Sequence, residues 1–187
     1  MEKNILVLSS PSGGGKSTVA KFILENFKKF TFSISATTRS PRLGELQDIH
    51  YYFFSREEFR KKIINDELIE YEEIFGNYYG TLKSTTDTIL SNGKFLLFDV
   101  DVKGALSIKK HFPENSVLMF IAPPSMEILE HRLRNRNTES EEQLQKRLER
   151  SKDEMEYIQY FDYTIVNDEL EPTLVEISEI ISKEFHK

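Results

Sequence analysis

The stretch of sequence that most constrains the fold joins a short apolar segment, a glycine-rich loop and a segment with helical periodicity. Residues 5–8 (ILVL) are apolar and partly β-branched, and the letters SSPSGGGKST follow them directly. Beyond the loop, apolar residues recur at helical spacing at Val19, Phe22, Ile23 and Phe27. This order predicts a strand, a loop and a helix, with the N-terminal end of the helix directed at the loop.

The loop has the composition of a phosphate-binding loop. Three consecutive glycines allow positive φ angles and bring successive N–H groups towards a polyphosphate. Lys16 would place a positive charge at the outer phosphates, and the Ser17 hydroxyl would hold Mg²⁺. We therefore assign nucleotide-phosphate binding to Ser12, Gly13, Gly14, Gly15, Lys16, Ser17 and Thr18. The alternative is a flexible turn with an incidental lysine, and the loop alone leaves ATPase, GTPase and kinase equally open.

Ser10 departs from the usual pattern of such loops, G-x-x-x-x-G-K-[ST], which has glycine at this position. Serine is tolerable there if its φ is negative, and Pro11 favours an extended conformation for the residue that precedes it. A badly placed Ser10 side chain would instead crowd the phosphates. We expect the loop to form with Ser10 in an ordinary backbone conformation.

Three further apolar runs predict strands that are buried on both faces, as in a parallel sheet between layers of helices. They are residues 95–98 (FLLF), 117–121 (VLMFI) and 163–166 (YTIV). A closing helix with one apolar face is predicted to open at Pro172, where a missing N–H costs nothing. The chain therefore has the pattern of an α/β protein.

Two segments interrupt this α/β pattern. Residues 31–86 combine strand-like aromatic runs with turn residues, and they predict an inserted lobe of mixed structure. Residues 125–158 are charge-rich and helical, with a break near Asn137 and overlapping capping boxes that begin at Thr138 and Ser140. This second segment predicts two helices joined by a short polar tip.

Composition limits the partners and the compartment. The chain has 187 residues, 39% of them hydrophobic, which suits one core of ordinary size and therefore one domain. A net charge of -6 argues against general affinity for nucleic acid or an anionic membrane, because both attract cationic surfaces. The absence of cysteine and of a long N-terminal apolar stretch fits a cytoplasmic protein.

The chain as a whole resembles the guanylate kinases, which move a phosphoryl group from ATP to GMP. The resemblance runs from the first strand to the last helix and rests on PSGGGKST, SATTRSPRLGE, IEYEEIFGNYYGT, FDVDVKGA, FIAPPS, HRLRNRNTE with KRL beyond it, and IVND. It implies ATP and GMP as substrates, Mg²⁺ with ATP, and no obligate protein partner.

The implied fold is α/β, with a P-loop, three-layer parallel-sheet core, an inserted mixed GMP-binding lobe and a helical lid. A single guanylate-kinase-like domain would span the whole chain. Its parts would be a core at about 1–34, 87–124 and 159–187, the GMP-binding insertion at about 35–86, and the lid at about 125–158.

Four residues would surround the GMP phosphate. Arg39 and Arg42 lie three residues apart in a turn-prone segment, so their two guanidinium forks can converge on one phosphate. The resemblance adds Tyr51 and Tyr79 as phenolic donors to the same phosphate. The alternative interpretation makes the arginines solvated surface residues and the tyrosines half-buried core aromatics.

Recognition of the base would depend on a carboxylate. Guanine presents N1–H and its exocyclic amine side by side, and these donors match the two oxygens of a carboxylate, whereas adenine has an acceptor at N1. By resemblance, Glu70 is this carboxylate, with Ser35 and Thr81 as its hydroxyl partners. The resemblance also places Asp99 and Asp101 near the acceptor nucleotide. Without it, Glu70 would be a solvated acid and the two aspartates would be turn residues at the end of a strand.

Cations from the charge-rich helices would neutralise the phosphates during transfer. Arg132 and Arg136 are one helical turn apart, and Arg147 comes from the helix after the break. We assign catalysis to Lys16, Arg132, Arg136 and Arg147. For Arg134 and Arg150, in the same helices, a solvated face is the simpler interpretation. Asn167 matches a family residue near the adenine of ATP, and a turn-forming Asn-Asp pair is the alternative.

Two other functions stay open at this point. Guanylate-kinase-like domains that serve as protein-binding scaffolds have lost the catalytic loop, whereas this chain keeps Lys16 and Ser17. A P-loop kinase for another acceptor is the second alternative, and the pairing of Glu70 with Ser35 is the feature that argues against it.

Overall fold

A computed structural model describes residues 3–135 and 140–185 of the chain. Its strands are β1 (Ile5–Ser9), β2 (Phe30–Phe32), β3 (Ala36–Thr37), β4 (Tyr52–Phe53), β5 (Leu68–Ile74), β6 (Asn77–Leu82), β7 (Phe95–Asp99), β8 (Ser116–Ala122) and β9 (Tyr163–Val166). Its α-helices are α1 (Lys16–Asn26), α2 (Arg56–Ile64), α3 (Lys83–Ser91), α4 (Val102–His111), α5 (Met126–Arg134), α6 (Glu141–Met155) and α7 (Leu170–Glu184), and a 3-10 helix spans Glu156–Tyr160. Within the described residues, no helix combines the length and apolar character needed to cross a lipid bilayer.

Five strands form a parallel sheet in the order β2-β7-β1-β8-β9. The central strand, β1, pairs in parallel with β7 on one side and with β8 on the other. Its side chains alternate between two buried clusters, with Leu6 and Leu8 in one and Ile5 and Val7 in the other. Because both faces are covered, the strand is a continuous apolar run, and the predicted parallel α/β core is confirmed.

Helices cover both faces of the parallel sheet. Ile23 of α1 and Ile177 of α7 pack in the cluster that contains Leu6. On the opposite face, Ile108 of α4 packs in the cluster that contains Val7. The core therefore has three layers, with the sheet between two layers of helices.

The last helix starts earlier than the sequence predicted. α7 begins at Leu170, so Pro172 is its third residue rather than its opening one. The first four N–H groups of an α-helix have no partner within the helix, so proline costs no hydrogen bond at the third position either. The proline therefore marks the first turn of the helix without fixing its first residue.

A smaller, mixed sheet occupies the chain between β2 and α3, in the order β4-β3-β6-β5. β5 and β6 form an antiparallel hairpin, β6 pairs antiparallel with β3, and β3 pairs in parallel with β4. Phe59 of α2 is fully buried and packs with Leu68 and Leu82 of the hairpin. α4 packs on β5, and this contact fixes the mixed sheet beside the parallel one.

α5 and α6 form a helical pair beside the core. Their contact is a cluster of leucines: Leu129, Leu133, Leu144 and Leu148. The capping box predicted at Ser140 is present, because the Ser140 hydroxyl accepts the N–H of Gln143 and the Gln143 side chain accepts the N–H of Ser140. The predicted break at Asn137 and the capping box that begins at Thr138 lie outside the described residues.

Candidate active site

The glycine-rich loop joins the carboxyl end of β1 to the first turn of α1. Gly13 and Gly15 have φ angles of 93° and 102°, in a left-handed region that costs other residues about 1–2 kcal/mol. A Cβ atom on Gly15 would also overlap the side-chain amide of Asn167. Lys16 is the first residue of α1, so the positive end of the helix lies directly at the loop.

Ser10 fits the loop with an ordinary backbone conformation. Its φ is not positive, as the sequence led us to expect. The side chain is buried, and its hydroxyl donates to the Pro11 carbonyl oxygen at 2.9 Å. The Gly14 N–H donates to the same oxygen, also at 2.9 Å. The Ser10 hydroxyl is thus bound within the loop and helps to hold the turn.

Lys16 links the loop to the end of β7. Its ammonium lies 2.8 Å from Asp99 Oδ1 and donates to the Val100 carbonyl oxygen at 3.0 Å. β1 and β7 are parallel neighbours, so their carboxyl ends meet at one edge of the sheet, where ligands of open α/β sheets bind. A cation and a carboxylate are therefore already paired at the edge where the loop begins.

A cavity of about 410 Å³ opens at this edge of the sheet. Most of the site residues predicted from sequence line it: Ser12, Gly13, Gly15, Lys16, Ser17, Thr18, Ser35, Tyr51, Glu70, Tyr79, Asp99, Asp101 and Arg147. The loop, the mixed sheet, the end of β7 and α6 therefore all contribute side chains to one space.

Six other predicted residues that the structure describes are not part of the cavity wall. They are Gly14, Arg39, Arg42, Thr81, Arg132 and Asn167. Arg136 lies outside the described residues. The predicted contacts of these residues with nucleotides stay predictions. Several of them contact residues of the cavity wall or of the loop instead.

Glu70 lies on β5, in the wall of the cavity. Thr81, on the paired strand β6, donates its hydroxyl to Glu70 Oε1 at 2.7 Å. On the other side, a Cβ atom added to Gly104 would lie only 3.1 Å from Glu70 Oε2. Loss of solvation raises the pKa of Glu70 to about 7, the Thr81 hydrogen bond opposes part of this rise, and the charge of Asp101 adds to it. The carboxyl therefore changes its charge close to neutral pH.

Two arginines link the α5–α6 pair to the loop, Arg147 directly and Arg132 through Asn167. Arg147 of α6 donates to Ser12 Oγ at 2.9 Å. Arg132 of α5 donates to the main-chain oxygen of Asn167 at 2.9 Å. The buried Asn167 amide in turn donates to the Gly14 carbonyl oxygen at 2.8 Å. Asn167 therefore supports the loop directly, a role that the sequence did not indicate, and its predicted contact with adenine stays a prediction.

Comparisons with known proteins agree on one family. A family model described as guanylate kinase matches residues 2–184. The guanylate kinase of Rickettsia felis is 48% identical over 183 residues, which cover 98% of this chain and 95% of that protein. The chain belongs to the guanylate kinase family. The guanylate kinase of Chlorobium luteolum is 49% identical over 167 residues, 89% of this chain and 85% of that protein.

A solved structure extends the family likeness to the fold. The crystal structure of guanylate kinase from Anaplasma phagocytophilum matches with a TM-score of 0.78 at 37% identity, covering 100% of this chain and 88% of that chain. The likeness includes both the parallel core and the mixed sheet, so the fold class expected of a guanylate kinase is confirmed.

In this guanylate kinase family member, the two predicted phosphate arginines share an acidic partner that sequence reasoning missed. Arg39 Nη2 lies 2.9 Å from Glu45 Oε1, and the main-chain N–H of Arg42 donates to Glu45 Oε2 at 2.7 Å. The Arg39 hydrogen bond, followed by that of the Arg42 N–H, lowers the pKa of Glu45 to about 2. The Arg39 guanidinium also lies 5.3 Å from the centre of the Tyr51 ring. The position of Glu45 in the sequence, three residues after Arg42 in a turn-prone segment, could have indicated this contact.

Arg150 is a second residue that sequence reasoning did not recognise. The solvated-face interpretation suits Arg134, whose side chain is 45% exposed and pairs with carboxylates of α5 and α6. It is wrong for Arg150, which lines the cavity and forms ion pairs with Glu72 of β5 and with Asp101. Nothing in the local sequence distinguishes the two arginines, because their partners come from other parts of this guanylate kinase chain.

Proposed function

We propose that the protein transfers the γ-phosphoryl group of ATP to GMP and releases ADP and GDP. One observation carries the proposal: a single cavity joins the phosphate loop at Lys16 to the Glu70 carboxyl with its Thr81 hydroxyl. Membership of the guanylate kinase family supports the same reaction. The protein-binding scaffold, and a kinase for another acceptor, have no observation in their favour.

ATP would bind at the loop. Its phosphates would accept hydrogen bonds from the loop N–H groups at the positive end of α1, and Lys16 would exchange part of its contact with Asp99 for the outer phosphates. The Ser17 hydroxyl lines the cavity beside Lys16, which suits Mg²⁺, because this ion usually takes few protein ligands and keeps phosphate oxygens and water. Bound there, Mg²⁺ would neutralise charge on the phosphates.

GMP would bind at the mixed sheet. Guanine N1–H and the exocyclic amine would donate to the ionised Glu70, with Ser35, Thr81 and Asp101 as further polar partners. Its phosphate would lie among the predicted donors, which are Arg39, Arg42, Tyr51 and Tyr79, with Asp99 nearby. Adenine would leave a desolvated carboxylate facing its N1 acceptor, and such a mismatch can cost about 10⁴-fold in specificity.

Transfer would need positioning and charge neutralisation more than covalent chemistry. The bond between the γ-phosphorus and the bridging oxygen of ADP breaks while an oxygen of the GMP phosphate bonds to that phosphorus. Lys16, Arg132, Arg136 and Arg147 would neutralise the charge on the moving group.

We propose the corresponding division of the chain: a core at about 1–34, 87–124 and 159–187, a GMP-binding insertion at about 35–86 and a lid at about 125–158.

We also propose that the protein acts in the cytoplasm on these small substrates, without nucleic acid, membrane or an obligate protein partner. The support is the net charge of -6 and the absence of cysteine from the sequence. Both properties describe the whole chain and do not depend on the geometry of the cavity.

The test measures ADP formation from ATP and Mg²⁺ with GMP, AMP, UMP or no acceptor. We expect rapid turnover with GMP alone. Lys16→Ala should abolish turnover while GMP binding largely survives, and Lys21→Ala provides the matched control because Lys21 is exposed on the same helix. Equal ADP release without an acceptor would indicate an ATPase, and no turnover with any acceptor would favour the scaffold. Loss of GMP binding with intact transfer in Lys16→Ala would contradict the assignment of the loop.

A further inference from the structure

Arg150 connects three separate parts of the chain. Its Nε lies 2.8 Å from Glu154 Oε1, one turn further along α6. Its Nη2 lies 3.2 Å from Glu72 Oε2 on β5 and 3.3 Å from Asp101 Oδ2 at the start of α4. One guanidinium therefore joins the α5–α6 pair to both the mixed sheet and the core.

The contacts of Arg150 are largely shielded from solvent. The side chain of Arg150 is 30% exposed, and those of Glu72 and Asp101 are 22% and 13% exposed. Exposed ion pairs contribute little because water and salt screen them, whereas removing one partner of a shielded pair leaves the other charge without compensation. Replacement of Arg150 would leave acidic side chains beside one another along the cavity wall, although Glu72 would keep a longer contact, 3.9 Å, with the exposed Lys103.

These contacts lie one step from the base-binding carboxyl. Asp101 uses its other oxygen, Oδ1, to accept the Gly104 N–H at 2.7 Å and so caps α4. Gly104 is also the residue that stands against Glu70 Oε2. On β5, Glu72 lies two residues from Glu70 and therefore on the same face of the strand. Arg150 thus holds a residue on each side of Glu70.

We propose that Arg150 is a positioning residue for the guanine site. From α6 it holds the carboxylates of Asp101 and Glu72, and this fixes the wall in which Glu70 meets the base. The inference rests on the proposed function, because it takes Glu70 as the guanine-binding group. Arg150 then couples the position of the α5–α6 pair to the acceptor site through its ion pairs with Glu72 and Asp101, which lie outside the loop.

The experiment compares Arg150→Ala, Arg150→Lys and the control Arg134→Ala in the full chain. Arg134 lies on the partner helix α5 and also has two carboxylate partners, Glu130 and Glu141, so its replacement removes similar interactions away from the cavity. Equilibrium binding gives the Kd for GMP and for ATP, and steady-state rates give kcat and both KM values. We expect Arg150→Ala to raise the Kd and KM for GMP about tenfold, with a smaller loss of kcat.

The pattern across substrates and variants separates positioning from a structural role. ATP values should change less than about twofold in Arg150→Ala, and Arg134→Ala should change neither substrate. Arg150→Lys should recover part of the GMP affinity, because an ammonium supplies the charge without the two-sided fork. Unchanged GMP binding in Arg150→Ala, equal losses for GMP and ATP, or an equal effect of Arg134→Ala would overturn the proposal.

A double-mutant cycle with Glu72→Gln tests the coupling from the other side. If Arg150 acts through Glu72, the double variant should lose much less GMP affinity than the product of the single losses. If the double variant loses as much GMP affinity as the product of the two single losses, the proposed coupling between Arg150 and Glu72 is contradicted. If Arg150→Ala does not fold, Glu72→Gln alone must raise the Kd for GMP for the proposal to stand. If the parent protein phosphorylates GMP and the variants bind GMP as the parent does, this inference alone is overturned. If the parent protein uses no acceptor, the proposed function is overturned as well.

Discussion

Replacement of Glu70 by glutamine should stabilise the protein in the absence of nucleotides while weakening its binding of GMP. The Glu70 carboxyl lies in the cavity wall between the Thr81 hydroxyl and Gly104. Glutamine keeps an oxygen that can accept the Thr81 hydrogen bond and has nearly the same shape, but it carries no charge. The substitution therefore removes the unfavourable solvation of the ionised acid without opening a cavity.

The magnitude follows from the pKa of Glu70. In the folded protein this pKa is raised to about 7 from the ordinary value of 4.5. Between these pH values the folded state keeps a proton that the unfolded state has lost, so the free energy of unfolding falls by about 1.4 kcal/mol per pH unit as the pH rises. The full effect above pH 7 is about 3 kcal/mol. Because the side chain keeps some exposure to the cavity, we expect about 2 kcal/mol.

The assay is thermal or urea unfolding of the parent and of Glu70→Gln at pH 4.5 and at pH 8. At pH 8 the variant should melt about 4–8 °C higher, and at pH 4.5 most of the difference should disappear because the parent carboxyl is protonated. Glu73→Gln is the control on the same strand, since the pKa of Glu73 is lowered by its contact with Arg56 and its replacement should not stabilise. A gain of equal size at both pH values, or a loss at pH 8, would refute the desolvation argument.

Two further predictions concern ligand affinity and backbone strain. Binding of GMP needs the ionised Glu70, so the Kd for GMP should rise about tenfold from pH 8 to pH 6. Equilibrium binding to the parent and to Glu70→Gln separates this effect from titration of the GMP phosphate, which is the same for both proteins. An identical pH dependence of the Kd in both proteins would contradict the prediction. Phe75 has a φ of 48° and is 65% exposed at the turn of the β5–β6 hairpin, so Phe75→Asn should raise the free energy of unfolding by about 1 kcal/mol. Urea unfolding checks this prediction, and a lower stability would mean that the Phe75 side chain makes contacts worth more than the strain.

The central strands of the core could be predicted from sequence because they are buried on both faces. Residues 95–98 and 117–121 lie in such strands, since a strand between two layers of helices needs apolar residues at every position. Residues 163–166 also form a strand, β9, but it lies at the edge of the sheet with Thr164 and Val166 exposed, so the prediction of burial on both faces is wrong there. The mixed sheet was predictable in character and not in detail. Its strands β3 and β4 have two residues each, which is too short to produce a periodic pattern.

The candidate site could be predicted where a motif fixes the local backbone, and could not where a partner comes from a distant part of the chain. The loop residues form a motif that is contiguous in sequence, and most of them line the cavity. Arg150 meets Glu72, which lies 78 positions earlier in the chain, and no local pattern encodes that contact. The charge-rich helices that contain Arg134 and Arg150 therefore gave the same interpretation for two residues with different surroundings.

The electrostatics of the wall around Glu70 balance affinity against base discrimination. Near pH 7, a Glu70 pKa of about 7 means that about half of the free molecules must lose a proton to bind guanine, which costs less than 1 kcal/mol. A solvated carboxylate would avoid this cost. Above pH 7, where Glu70 is ionised, a solvated carboxylate would also lose the penalty against adenine, because water could satisfy it when the wrong base is bound. Asp101 raises the pKa of Glu70 further, and Arg150 lies against Asp101. Removal of the Arg150 charge would leave Asp101 uncompensated beside Glu70, so GMP binding would then have to supply more free energy to ionise the same carboxyl.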